Sequence, residues 1–115
     1  MTPETTTHQF AKQTKIVETV ITVVAKHFKM TSERLLERGR EEPRNTRRQI
    51  AMMLARNLSG MSYPDLARAF LKSDHGTIMH ACEAVSKRAD ADPELRKTVE
   101  SLREETSGAV ANIPA

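Results

Sequence analysis

Residues 62–82 read Ser62-Tyr63-Pro64-Asp65-Leu66-Ala67-Arg68-Ala69-Phe70-Leu71-Lys72-Ser73-Asp74-His75-Gly76-Thr77-Ile78-Met79-His80-Ala81-Cys82. Ser62 is a suitable helix N-cap, Asp65 follows three residues on, and Pro64 is tolerated in a first turn. Leu66, Ala67 and Phe70 then share a face, which predicts a short helix over 63–70. Residues 71–73 form a turn. Ser73 or Asp74 would cap a longer helix over 74–87, whose apolar face is Ile78, Ala81, Cys82 and Val85. Two helices joined by a three- or four-residue turn make a helix-turn-helix, and in a DNA-binding one the first turn of the second helix enters the major groove. The exposed positions there are Asp74, His75, Gly76 and Thr77, with His80 one turn on. Asp, His and Thr bond base edges, and glycine lets a backbone approach closely. Many helical proteins contain two short helices and a turn with no such role, so spacing alone leaves both readings open.

Working outward, Arg48–Leu58 carries Ile50, Met53, Leu54 and Leu58 at helical spacing, with Gly60 as a stop, which predicts a helix over about 46–58. Residues 39–45, Gly-Arg-Glu-Glu-Pro-Arg-Asn, read as a loop. Before it, Thr31 or Ser32 would cap a short helix bearing Leu35 and Leu36. Ile16, Val17, Val20, Ile21, Val24 and Phe28 form a stripe of more than three turns. That period outweighs the strand preference of a β-branched stretch and predicts a helix over about 11–28. Downstream, Asp92-Pro93-Glu94 announces a sixth helix carrying Leu95, Val99 and Leu102. The Thr-rich residues 1–10 and the tail over 106–115 are expected to be disordered and flexible. The expectation is therefore one all-α domain of about six helices over residues 11–105.

The 115 residues contain three Phe, one Tyr and no Trp, so the core is expected to be aliphatic. One cysteine, Cys82, permits no internal disulfide, and no run approaches a membrane span, so a cytosolic protein is the simplest reading. Net charge is only +3, but it is polarised. Arg38, Arg40, Arg44, Arg47 and Arg48 face only Glu41 and Glu42 within residues 38–48, whereas residues 83–105 are net acidic. Such a patch suits an anionic polymer and equally a solvated helix face.

Other chemistry finds little support. His75, His80 and Cys82 fit no established zinc spacing, so no metal is expected. Cys82 lies on an apolar face, as a buried thiol would. No constellation suggests catalysis, so the chain is not expected to be an enzyme.

Three blocks resemble the DNA-binding domain of the bacterial replication initiator DnaA. They are Arg48-Gln49-Ile50-Ala51-Met52-Met53-Leu54-Ala55-Arg56, the Ser62–Phe70 block, and Asp74-His75-Gly76-Thr77-Ile78-Met79-His80-Ala81-Cys82. The spacing between them is that of the family, and the similarity spans roughly residues 15–105. The resemblance implies a helix-turn-helix of the Trp-repressor-like type. It implies binding to double-stranded DNA at DnaA-box-like sites, in replication initiation or its regulation, with DnaA or other replication proteins as possible partners and a nucleoid-associated location. Carried over, Asp74, His75, Gly76 and Thr77 occupy the major-groove positions, and Arg40 and Arg48 reach the minor groove. Gln49, Arg56, Pro64, Lys72 and His80 occupy backbone-contacting or supporting positions. The sequence departs from the pattern at Gly76, where the family has Thr and a thymine-methyl contact. It departs also at Leu71-Lys72-Ser73, where glycines are usual, and at the acidic Glu41 and Glu42. A stand-alone regulator or protein-interaction module that kept this fold is the alternative reading. The family's ATPase module has no counterpart here: no phosphate-binding Gly-x-x-x-x-Gly-Lys-Ser/Thr loop occurs, so no ATP or other cofactor is expected.

Overall fold

The structure, a computed structural model, describes residues 3–71 and 75–114. Among them the chain forms six helices and no strand: α1 Pro3–His27, α2 Ser32–Leu36, α3 Arg44–Ser59, α4 Tyr63–Ala69, α5 His75–Ala91 and α6 Pro93–Ala111. α1 is helical despite its β-branched run, because Ile16, Val17, Val20, Ile21 and Val24 line up on one buried face. It begins at Pro3 rather than near residue 11. Proline is at home in a first helical turn. Further along, the Gln13 side-chain amide donates to the Ser59 carbonyl and ties α1 to the end of α3.

The ends of the helices follow local chemistry. Thr31 Oγ1 accepts from Arg34 N and caps α2. Ser62 Oγ accepts from Asp65 N and caps α4. Asp92 Oδ1 accepts from Glu94 N and Leu95 N, with Pro93 in the first turn of α6. Gly60 closes α3 at φ 66°, a left-handed conformation that costs a residue with a Cβ about 1–2 kcal/mol.

α3 is the axis of the fold. Ile50, Ala51, Met52, Met53, Leu54 and Ala55 are six consecutive buried residues, so the helix is apolar nearly all round. It lies against α1 and α5, and touches α2, α4 and α6. Leu35 from α2, Leu66 and Phe70 around α4, Ile78 and Val85 from α5, and Val99 and Leu102 from α6 complete the core. Phe70 is the one aromatic among the fully buried residues described. α6 outruns its expected end at about 105 because Thr106 is buried, its hydroxyl donating to the Leu102 carbonyl at 2.7 Å, and Val110 packs on the core.

α4 and α5 pack on each other and form the helix-turn-helix. The turn between them enters through Leu71, which sits at φ 59° with 61% of its surface exposed. This is a left-handed position, which explains why glycine suits it. Lys72, Ser73 and Asp74 lie outside the described residues.

Candidate nucleic-acid interface

The loop between α2 and α3 is held by buried arginines of α3. Arg44 and Arg48 lie one turn apart on α3 and continue its inward stripe of Met52 and Ala55. Arg48 is 4% exposed. Its guanidinium donates to the Glu37 carbonyl at 2.5 Å, the Gly39 carbonyl at 2.6 Å and Asn45 Oδ1 at 3.0 Å. Arg44 donates to the Arg38 carbonyl at 2.9 Å, with Glu41 Oε2 3.6 Å from its Nη1. Burial and the neighbouring Arg44 charge lower the pKa of Arg48, and Glu42 opposes them. An arginine remains charged after such a shift.

Glu42 has a structural task as well. Its Oε1 accepts from Thr46 N and from Thr46 Oγ1, both at 2.8 Å, and so caps the start of α3. Desolvation pushes the Glu42 carboxyl up. The Thr46 hydrogen bonds and the Arg88 and Arg48 charges outweigh it, leaving the pKa below the ordinary value. The cap explains why α3 starts at Arg44, earlier than expected. Arg88 of α5 donates to Thr46 Oγ1 at 2.8 Å and stands 3.8 Å from Glu42, linking α5 to this corner.

Between the loop and α5 lies an open groove of about 710 Å³. Gly39 and Arg40 border it on the loop side, with Asn45, Arg48, Gln49 and Met52 from α3. Gly76, Thr77, His80 and Ala81 border it on α5. Six of the residues singled out from the sequence therefore meet at one concavity: Arg40, Arg48, Gln49, Gly76, Thr77 and His80. Arg40, Thr77 and His80 are exposed, Gln49 and Gly76 are half-buried, and Ile78 between them points into the core. Arg40 has no hydrogen bond or ion pair among the described residues.

The remaining candidates fall elsewhere. His75 is the first residue of α5. Asp74 and Lys72 lie outside the described residues. Pro64 is exposed in the first turn of α4. Arg56 is half-buried; it donates to the Met61 carbonyl at 2.8 Å and its guanidinium lies 4.6 Å from the centre of the Tyr63 ring. Burial pushes the Cys82 thiol up, against the opposing Arg56 charge. Among the described residues no group of three or more His, Cys, Asp or Glu is gathered for a metal, and no helix is long and apolar enough to cross a membrane.

Sequence reading counted Arg44 and Glu42 only as charges and gave Arg44, Asn45, Glu42 and Arg88 no task in holding the site. The signal for the first lay in its register: Arg44 and Arg48 are four apart and in phase with Met52 and Ala55, so they belong to the inward face.

Residues 17–85 match the family model described as the bacterial dnaA protein helix-turn-helix, a match that covers more than half of the chain. The chain belongs to the bacterial DnaA helix-turn-helix family. Among DnaA relatives, the chromosomal replication initiator protein of Synechocystis is 35% identical over 85 residues, which are 74% of this chain and 19% of that protein. The DnaA of Geobacter metallireducens is 39% identical over 87 residues, 76% of this chain and 19% of that protein. The chain thus spans about a fifth of the length of the DnaA proteins it matches. A crystal structure of a DNA replication initiation factor superposes with a TM-score of 0.80 at 25% identity, covering 93% of this chain and 33% of the other. The DnaA match takes in α4 and also the Arg40 loop, α3 and the first turns of α5, the three elements that border the groove.

Proposed function

We propose that this chain is a sequence-specific double-stranded DNA-binding domain that recognises DnaA-box-like sites in replication initiation or its regulation. One observation carries the reading: the exposed Arg40 of the loop and the exposed Thr77 and His80 of α5 border the same groove, in a member of the DnaA helix-turn-helix family. With α5 in the major groove, Asp74, His75, Gly76 and Thr77 would face base edges. Arg40 would reach the adjacent minor groove. Gln49, Pro64, Lys72 and His80 would meet the backbone, which fixes register while the bases specify.

Arg48 and Arg56 are given other tasks here. Both guanidiniums are engaged with protein carbonyls, so Arg48 holds the loop and Arg56 the α3–α4 corner. Glu41 and Glu42, the acidic residues that would favour a protein-interaction module, face Arg44 and Thr46 and serve the loop.

The test is a fluorescence anisotropy titration of duplexes carrying a DnaA box or its scrambled sequence, at several salt concentrations. Tighter binding to the box duplex at every salt is expected, with affinity for both falling as salt rises. Equal affinity for the two duplexes would remove sequence specificity, and no binding to either would favour the interaction module.

A further inference from the structure

Three consecutive carbonyls, those of Glu37, Arg38 and Gly39, each accept a hydrogen bond from a buried arginine. Arg48 takes the outer two and Arg44 the middle one. Arg44 is 6% exposed, and its Nε has no partner among the described residues. A second cation, Arg48, is buried close by. Burying a cation beside another is unfavourable unless its hydrogen bonds do something an apolar side chain could not.

The loop shows what that is. Gly39 stands at φ 124°, and a Cβ there would lie 3.0 Å from Arg44 Nη2. The backbone therefore turns directly against the Arg44 guanidinium. Arg40 is the next residue in the chain, exposed and on the groove. Its direction out of the loop is set by the peptide planes that Arg44 and Arg48 hold.

We infer that Arg44 is a positioning residue for DNA binding, fixing the Glu37–Gly39 backbone so that Arg40 leaves the loop on the DNA-facing side of the groove. Arg44 does not itself touch DNA. The inference rests on the reading above that Arg40 makes a DNA contact.

A double-mutant cycle separates the two. Arg40→Ala, Arg44→Met and the double variant are titrated by anisotropy on the box duplex, with urea midpoints measured to establish that each is folded. Arg44→Met is expected to weaken binding roughly tenfold in the parent, the scale of one specific contact. In the Arg40→Ala background the same change should cost less than about twofold, because the contact it serves is already gone. A role in stability or in long-range charge alone would not produce that coupling. Equal losses in both backgrounds, or no loss in either, would overturn the inference while leaving the Arg40 contact standing. If Arg40→Ala binds like the parent, the underlying reading fails and the inference with it. Should Arg44→Met not fold, Arg44→Lys, which keeps the charge but not the fork, goes through the same cycle and meets the same criteria.

Discussion

Arg48→Met separates the role the resemblance implies from the one the geometry supports. The change removes the guanidinium but leaves an unbranched apolar chain of similar reach. It abolishes three hydrogen bonds, to the Glu37 and Gly39 carbonyls and to Asn45. Hydrogen bonds from a charged group contribute about 1.5–3 kcal/mol each when intact. Two terms reduce the net loss. Glu37 and Gly39 are exposed residues, so water can take over their carbonyls. The variant also escapes the cost of burying a cation and of holding it beside Arg44, the two effects that lower the Arg48 pKa. A net destabilisation of about 2–3 kcal/mol remains, a large share of the 5–15 kcal/mol that holds an ordinary domain together. In urea unfolding followed by circular dichroism, that corresponds to a midpoint lower by about 1–2 M with unchanged slope. Arg40→Ala, by contrast, should unfold like the parent to within about 0.5 kcal/mol, because its side chain is exposed and unengaged among the described residues. The reasoning is refuted if Arg48→Met unfolds like the parent yet loses DNA affinity. Arg48 would then be spending its charge on DNA and not on the loop.

Four further outcomes are expected. Leu71→Gly should stabilise the protein by about 0.5–1 kcal/mol in thermal unfolding, since it relieves a left-handed leucine and removes an exposed apolar side chain; a lower midpoint would contradict this. Gly60→Ala should cost about 1–2 kcal/mol through backbone strain alone, as a Cβ there meets nothing within 4 Å. Glu42→Ala should lose an α3 cap, about 0.5–1 kcal/mol at neutral pH. Because the folded pKa of Glu42 is depressed, its contribution is present above the unfolded carboxyl value and fades as pH falls through the folded one. Urea midpoints of parent and variant should therefore converge in acid, and a gap that persists there would count against the cap. Gly76→Thr restores the family residue in α5 and should tighten binding to a box duplex in anisotropy titrations; unchanged or weaker binding would point to a different target sequence.

Much of this architecture is readable from local rules. The Ile16–Val24 stripe, the Ser62 and Asp92 caps and the Gly60 stop each rest on neighbours within one turn, and each stands as expected. What escaped depends on distant partners. α6 continues past 105 because Thr106 and Val110 find the core, and α1 is tied to α3 through Gln13 and Ser59. The loop misled most. Counting its arginines as outward charge is reasonable for residues 38 and 40 and mistaken for 44 and 48, which sit on the buried stripe of α3. Leu71 shows the converse: its oddity against the family pattern is visible in sequence, but only the φ of 59° says why glycine is at home there.

The central claim is that α5 reads the major groove while Arg40 lies in the adjacent minor groove, and groove-specific base analogues test it most directly. In one set of box duplexes, 7-deazapurines remove the N7 acceptors displayed in the major groove. In a second set, 2,6-diaminopurine for adenine places an amino group in the minor groove. Anisotropy on both sets is expected to show two adjacent clusters of sensitive positions, one in each groove. Arg40→Ala should lose the minor-groove cluster and keep the major-groove one. Minor-groove sensitivity that survives in Arg40→Ala, or a duplex indifferent to 7-deazapurine throughout, would contradict the account.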